Sequence, residues 1–333
     1  MKAFVVATLA TFTGLCYGAT GQERAVQAGA DLIGHPAPAL SIRTIDGERI
    51  DLAAWYGKKP VYLKFWATWC VPCREQMPHF ERTFESAGKD LLVIAVDTGF
   101  NESRDDVLAY RRQLGLKMPI AIDDGRFAAA FHLRVTPQHV VIGRDGRIVY
   151  VGHLADERLE QALRAARQSP STAVAPARTT LEPHYRIGDR VADLKLVAID
   201  GQSVPALDST RHRPLAIVFL SPWCESYFAD SQPQRATACR AMRTQIQDLA
   251  GERGARWVGI ASGLWATRED VVQYVNSNKI GYPVVLDESG ELFRAFNVTS
   301  VPVVVLLNDD AWIRRRIEAP SADLRAALAA SSR

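Results

Sequence analysis

Long apolar runs are scarce in this 333-residue chain: after the opening stretch from Ala3 to about Tyr17 none recurs. Because a membrane-spanning helix needs about 20 predominantly apolar residues, a soluble mature chain is expected. An excess of one charge is also lacking. A net charge of +3 is too small to suggest a nucleic-acid partner. The one basic run, Arg314-Arg315-Arg316, follows the turn Asn308-Asp309-Asp310 and reads as a solvated strand end. No Gly-rich phosphate loop joins a strand to a helix, so no nucleotide is implied. Cysteine is sparse, five residues in all. A single Cys-X-X-Cys, Cys70 to Cys73, has no second pair or His-x₃₋₅-His beside it, as structural zinc would want, and Cys224 and Cys239 are too far apart for a zinc knuckle. His35, His79, His132, His139 and His153 show no ligand spacing and read as surface or packing residues. Neither a metal nor a cofactor is expected.

What is present is Trp69-Cys70-Val71-Pro72-Cys73, directly after the apolar run Pro60 to Trp66, so the two cysteines fall where a strand turns into a helix. The free backbone N–H groups and positive dipole end of a helix start favour a thiolate, which makes Cys70 the candidate nucleophile. Cys73, about one helical turn on, is placed to attack a mixed disulfide on Cys70 and resolve it. Pro72 suits an early helix position, and the helix is expected to continue from Arg74 to Ala87 with a kink at Pro78.

The stretch Phe65-Trp66-Ala67-Thr68-Trp69-Cys70-Val71-Pro72-Cys73-Arg74-Glu75-Gln76-Met77-Pro78 resembles the active-site segment of thioredoxin-like periplasmic disulfide reductases of the TlpA type. In that family a cis-proline packs beside the active-site disulfide. Phe131 to Pro137, followed by Val140-Val141-Ile142, is similar in position. The resemblance implies that Pro137 is cis and that the Thr136 backbone bonds an extended substrate strand, with Trp69 and Pro72 completing the contact surface. Two departures stand out. The family's buried acid before the first cysteine is here Lys64, and the acid after the second is Gln76. Glu75 is a doubtful substitute, since one residue along a helix turns a side chain by about 100°. Lys64 is either a strand residue reaching solvent or a positive neighbour lowering a thiol pKa.

Met1-Lys2, the apolar stretch and then Gly18-Ala19-Thr20-Gly21 have the layout of a secretory signal over residues 1–20. An uncleaved anchor is the runner-up, with membrane contact only in that case. Lipidation at Cys16 is disfavoured because Thr13-Gly14-Leu15 lacks the usual small residue next to it. Four cysteines then remain, an even number suited to an oxidising compartment, and the bacterial periplasm fits best.

Ile33-Gly34 leads to Ile45-Asp46-Gly47 and then Trp69-Cys70; Ile187-Gly188 leads to Ile199-Asp200-Gly201 and Trp223-Cys224 at the same spacing. These are two copies of one domain. Phe131 to Pro137 corresponds to Phe296 to Pro302. The expected organisation is a first domain over 30–167, a Pro, Ser, Thr and Ala-rich linker over 168–183, and a degenerate second domain over 184–330. Strands are expected at Tyr62–Trp66, Leu91–Val96, Ala216–Leu220, Trp257–Ala261 and Val303–Leu307. A hairpin is expected around Asp145-Gly146, and helices at Asp105–Leu114 and Arg268–Asn276. The fold class is α/β, two tandem thioredoxin-like domains, each a central mixed sheet covered by helices, as the resemblance implies.

In the second copy Tyr227 stands where the resolving cysteine belongs. The 78 residues from Cys224 to Pro302 exceed the 67 from Cys70 to Pro137, and Cys239 lies in the insertion. A fold-back through Ser231-Gln232-Pro233 would let Cys239 meet Cys224. The alternative is an insertion carrying two unpaired thiols; an exported chain favours the bridge, structural or redox-active. Trp66, Trp69, Trp223 and Trp265 read as packing aromatics, with Trp69 also shielding the disulfide.

Three function classes compete. The first is an exported thiol-disulfide oxidoreductase that reduces client proteins and is fed by a membrane thiol-disulfide donor, as the resemblance implies. The second is a thiol peroxidase working through a sulfenic acid, although the Thr and Arg pattern around a peroxidatic cysteine is missing. The third is a non-catalytic client- or copper-binding protein.

Overall fold

Val61–Trp66 and Leu215–Leu220 are each buried at all six positions, and each forms the middle of a five-stranded sheet. A strand covered on both faces is apolar at almost every position, Lys64 being the exception here, which is why neither run alternates. The computed structural model describes residues 20–178, 184–191, 193–208, 213–252, 254–318 and 324–331. The expected export signal and Cys16 lie outside these residues, apart from Thr20.

Thr20 caps the first helix, α1 (Gly21–Gly29), through a capping box with Glu23. The antiparallel pair β1 (Ser41–Arg43) and β2 (Arg49–Asp51) precedes the first sheet. That sheet is built from β3 (Val61–Trp66), β4 (Leu92–Asp97), β5 (Ile120–Ile122), β6 (Gln138–Ile142) and β7 (Ile148–Gly152). Its spatial order is β5-β4-β3-β6-β7; β3, β4 and β5 run parallel, β6 pairs antiparallel with β3, and β7 pairs antiparallel with β6. Between these strands lie α2 (Val71–Ala87), α3 (Arg104–Leu114) and α4 (Arg126–Ala130), with α5 (Glu157–Gln168) after them. Buried Cys73, Met77, Phe80 and Ala87 recur at helical spacing and seat α2 on the sheet. The β6–β7 hairpin turns at Gly146, whose φ of 86° a side chain would resist.

The second copy repeats the plan at an offset that is 154 residues from β3 to its counterpart. A short pair, β8 (Lys195–Val197) and β9 (Ser203–Pro205), again precedes the sheet. Its strands are β10 (Leu215–Leu220), β11 (Arg256–Ser262), β12 (Val284–Asp287), β13 (Val303–Leu307) and β14 (Ile313–Ile317), in the order β12-β11-β10-β13-β14. Here the helix after the central strand is broken. It runs as α6 (Cys224–Ser231), stops at Gln232, and restarts with Pro233 as α7 (Pro233–Ala250); α8 (Arg268–Ser277), α9 (Glu291–Ala295) and α10 (Leu324–Ser331) follow. The break brings Cys239 back onto Cys224, and the two are joined by a disulfide with Cα atoms 6.4 Å apart.

Part of the stretch expected as a linker is not free chain. Gln168 is the last residue of α5, and beyond it the backbone lies along the first domain: Val174 N–H donates to Asp145 O at 2.9 Å and Ala177 N–H to Ala37 O at 3.0 Å. Residues 179–183 lie outside those described. In the basic run Arg314 and Arg315 are exposed on β14, and Arg316 donates to the carbonyls of Phe296 and Asn297 and to Glu318. One hydrophobic core is continuous between the domains, containing Trp69, Cys70 and Phe100 together with Cys224, Phe228 and Phe293.

Closing a loop of this size removes unfolded-state entropy, so replacing Cys224 and Cys239 together with Ala should lower the unfolding free energy by about 3 kcal/mol. Guanidinium titration with Cys70–Cys73 kept oxidised measures it.

Candidate active site

Cys70 is the N-cap of α2, and the Cys73 N–H donates to its sulfur at 3.2 Å; the pair is joined as a disulfide with Cα atoms 5.2 Å apart. Strand β3 delivers Cys70 to this position, and Pro72 occupies the first turn, where its missing N–H costs nothing. The loop before β6 lies alongside. The Thr136–Pro137 peptide is cis, as is Val301–Pro302 in the second copy.

Behind the disulfide the sheet carries groups that burial has shifted. Lys64 is fully buried, which overturns the reading of a strand residue reaching solvent: its neighbours in the sheet, Ala95 on β4 and His139 on β6, are buried too. Its amine lies 3.4 Å from the Cys73 carbonyl and over the Phe80 ring, and burial drops its pKa to about 7. His139 bonds the Tyr62 hydroxyl through Nδ1 and the Gln76 carbonyl through Nε2, each at 2.8 Å. Burial first, and the charge of Lys64 second, hold it well below the usual histidine range. Gln76 in turn donates to His153 O, and the His153 ring bonds Pro137 O at 2.7 Å. A polar chain therefore runs from Tyr62 through His139, Gln76 and His153 to the Pro137 loop.

Two carboxyls escaped the sequence reading. Glu102 accepts from the Thr68 N–H and hydroxyl at 2.8 and 2.5 Å, and burial raises its pKa to about 7. Asp97 ends β4 and is fully buried; desolvation, and then the charge of Glu102, keep it well above the ordinary range. The signal that finds them is the second copy. Strand register puts Ala261 in the place of Asp97, counting back from the helix caps Ser103 and Thr267 puts Ala266 in the place of Glu102, and Val218 and Val304 replace Lys64 and His139. The fold needs none of these charges, and they accompany the intact Cys-X-X-Cys.

The surface above the disulfide is occupied. Cys70 and Cys73 are fully buried and Trp69 is 5% exposed. Trp69 packs against Trp223, Tyr227 and Phe228 of the second domain at ring distances of 5.4, 5.9 and 5.4 Å. Tyr227, the residue in the resolver position, accepts from the Val71 N–H at 3.1 Å. Trp265 donates its indole N–H to Thr136 Oγ1 at 3.0 Å. Trp223 and Trp265, expected as packing aromatics, pack between domains.

A family model described as the AhpC/TSA family matches residues 33–151. The thioredoxin-like protein YneN of Bacillus subtilis (strain 168) is 35% identical over 133 residues, 39% of this chain and 78% of that protein. ResA of Bacillus anthracis, a thiol-disulfide oxidoreductase, is 33% identical over 136 residues, 40% of this chain and 77% of its own length. The chain belongs to the thioredoxin-like thiol-disulfide oxidoreductases. A solved structure similar to part of this family member is the exposed lipoprotein thioredoxin Etrx1 of Streptococcus pneumoniae strain TIGR4, at 27% identity, 38% of this chain, 98% of that chain and a TM-score of 0.35. As an oxidoreductase of this family, the protein carries its Cys-X-X-Cys in the first of its two thioredoxin-like domains.

The buried charges fix a pH response. Glu102 keeps a proton in the fold that the unfolded chain releases above about 4.5, so its contribution is lost as pH rises towards 7. For Lys64 the unfolded chain holds the extra proton between about 7 and 10.5, so its contribution is lost as pH falls through that window. Guanidinium midpoints measured from about pH 5 to 10 should show a shallower lower limb in Glu102→Gln and a shallower upper limb in Lys64→Met.

Proposed function

We propose that this oxidoreductase works as an exported reductant of client-protein disulfides, with Cys70 as attacking and Cys73 as resolving thiol. The observation that carries the reading is the position of Cys70 at the start of α2, its sulfur already accepting the Cys73 N–H at 3.2 Å. The same amide and the helix dipole stabilise a Cys70 thiolate once the pair is reduced. That thiolate attacks one sulfur of a client disulfide, forming a mixed disulfide and expelling the other client sulfur as a thiolate. Cys73, as thiolate, then attacks Cys70; the second client thiol leaves, and the client has gained two electrons while Cys70–Cys73 is oxidised. A donor dithiol at the membrane must return the pair to its reduced form. Trp69, Pro72, Thr136 and Pro137 form the surface a client strand meets.

Lys64, about half protonated near neutral pH, is a group able to favour the Cys73 thiolate from behind, in place of the family acid. The apolar opening after Met1-Lys2 and two bridged cysteine pairs in a chain of this size support an oxidising compartment, and the periplasm is the compartment proposed.

A redox titration of the mature protein, with alkylated Cys70/Cys73 and Cys224/Cys239 peptides resolved by mass spectrometry, tests this. The expected result is a reversible Cys70–Cys73 couple at low potential, no turnover in Cys70→Ser, and client mixed disulfides trapped by Cys73→Ser. Full activity in Cys73→Ser, with nothing trapped, overturns the assigned roles.

A further inference from the structure

The contacts between the domains are reciprocal. After β4 and after β11 the chain makes the same turn, with Asn101 at φ 60° and Trp265 at φ 65°, both conformations that side chains other than glycine resist. Inside each domain the tryptophan before the first cysteine bonds that turn: Trp69 to Phe100 O at 2.7 Å, and Trp223 to Leu264 O at 2.8 Å. Each turn then reaches across to the other domain's proline loop. Trp265 N–H donates to Arg134 O at 2.9 Å, three residues before Pro137, and Asn101 N–H donates to Thr299 O at 2.8 Å, three residues before Pro302. Side chains complete the exchange. The Trp265 indole bonds Thr136 Oγ1 and lies against the His153 ring at 6.1 Å, while Asn101 Oδ1 accepts from the Val301 N–H at 2.9 Å and from Arg235 at 3.2 Å.

We infer that the turn at Leu264-Trp265-Ala266 occupies the client-binding edge of the first domain as an internal substitute for the client, so that the described form is closed and a client enters only when the two faces part. This deepens the proposed activity and rests on it. A thiol that exchanges with another protein's disulfide must be reached along the S–S axis by a foreign sulfur, yet Cys70 and Cys73 have no exposed surface and the groove beside them is filled. The occupant defines the class of client. It is an extended or turning polypeptide segment that gives a main-chain N–H to Arg134 O and sets a flat side chain bearing a hydrogen-bond donor between Thr136 and His153. A segment with tryptophan or tyrosine beside its disulfide has that chemistry. The closed form rests on directional bonds at the two turns and on the packing of Trp69 and Phe100 against Trp223, Tyr227, Phe228 and Phe293; a competing segment can replace the Trp265 bonds and the cover on Trp69.

The test uses the reduced full-length mature chain, with iodoacetamide as probe of Cys70 and insulin as a protein disulfide. In the wild type the Cys70 alkylation rate should level off as iodoacetamide is raised, because opening becomes limiting. Asn101→Gly and Trp265→Gly keep the positive φ of their turns and remove one side-chain partner each, from opposite domains. Each should raise alkylation and insulin reduction in parallel by about tenfold, the effect of losing one good contact set. Equal alkylation in the wild type, both single variants and the double variant overturns closure, even if insulin is reduced. Faster alkylation with no insulin reduction in any form leaves closure standing and overturns the proposed activity. Thermal midpoints near the wild-type value in either variant separate opening from unfolding, since the two substitutions load different domains.

Discussion

The packing of Trp69 against Trp223 is the contact on which the pairing of the two domains turns. Each ring is the residue directly before the first cysteine of its copy, and each is tethered by its indole N–H to the turn that crosses to the other domain. Packing of the two rings, Trp69 buried and Trp223 half-buried, is worth several kcal/mol of apolar transfer. It also removes from solvent the face beside Cys70 and Cys73. The continuous core through Cys70 and Cys224 follows from that stack, and so does the position of Tyr227, whose hydroxyl satisfies the Val71 N–H at the open first turn of α2.

Gene duplication has left a control inside the chain. Both copies fold through the same strand order and both keep a cis-proline, but only the first buries Lys64, His139 and Asp97 and half-buries Glu102 at these places. An ionisable group without a full partner set is costly in a sheet interior, and valine or alanine at the equivalent places of the second copy shows that the architecture gains nothing from it. The charges thus accompany the Cys70–Cys73 pair. In the second copy Tyr227 has taken the resolver's position, and Cys224 has found a partner 15 residues on, across a helix break that the first copy lacks.

Much of this could be read from residue order. Central strands declare themselves as apolar runs, the Cys-X-X-Cys falls at a strand end, and constant spacing from Ile33-Gly34 and Ile187-Gly188 reveals two copies. What could not be read is decided by tertiary placement. A lone lysine in an apolar run is compatible with either an exposed or a buried strand face, and only the flanking strands β4 and β6 settle Lys64. Asp97 and Glu102 lie at a strand end and in a loop, where no periodicity marks burial. Trp265 looks like any packing aromatic until the opposite domain supplies Arg134 and Thr136. The stretch after Gln168 has linker composition, yet Val174 and Ala177 find backbone partners on the first domain that composition does not encode.

That last feature sets a leash. Ala177 is bonded to Ala37 in the first domain, and Tyr185 N–H donates to Ala295 O in the second. Eight peptide units separate those anchor points, a span of at most about 29 Å when fully extended. Parted faces therefore remain within a small shared volume, at an effective concentration on the order of millimolar. Any incoming chain competes against that local excess of Trp265 rather than against bulk solvent, so weak bystander segments lose.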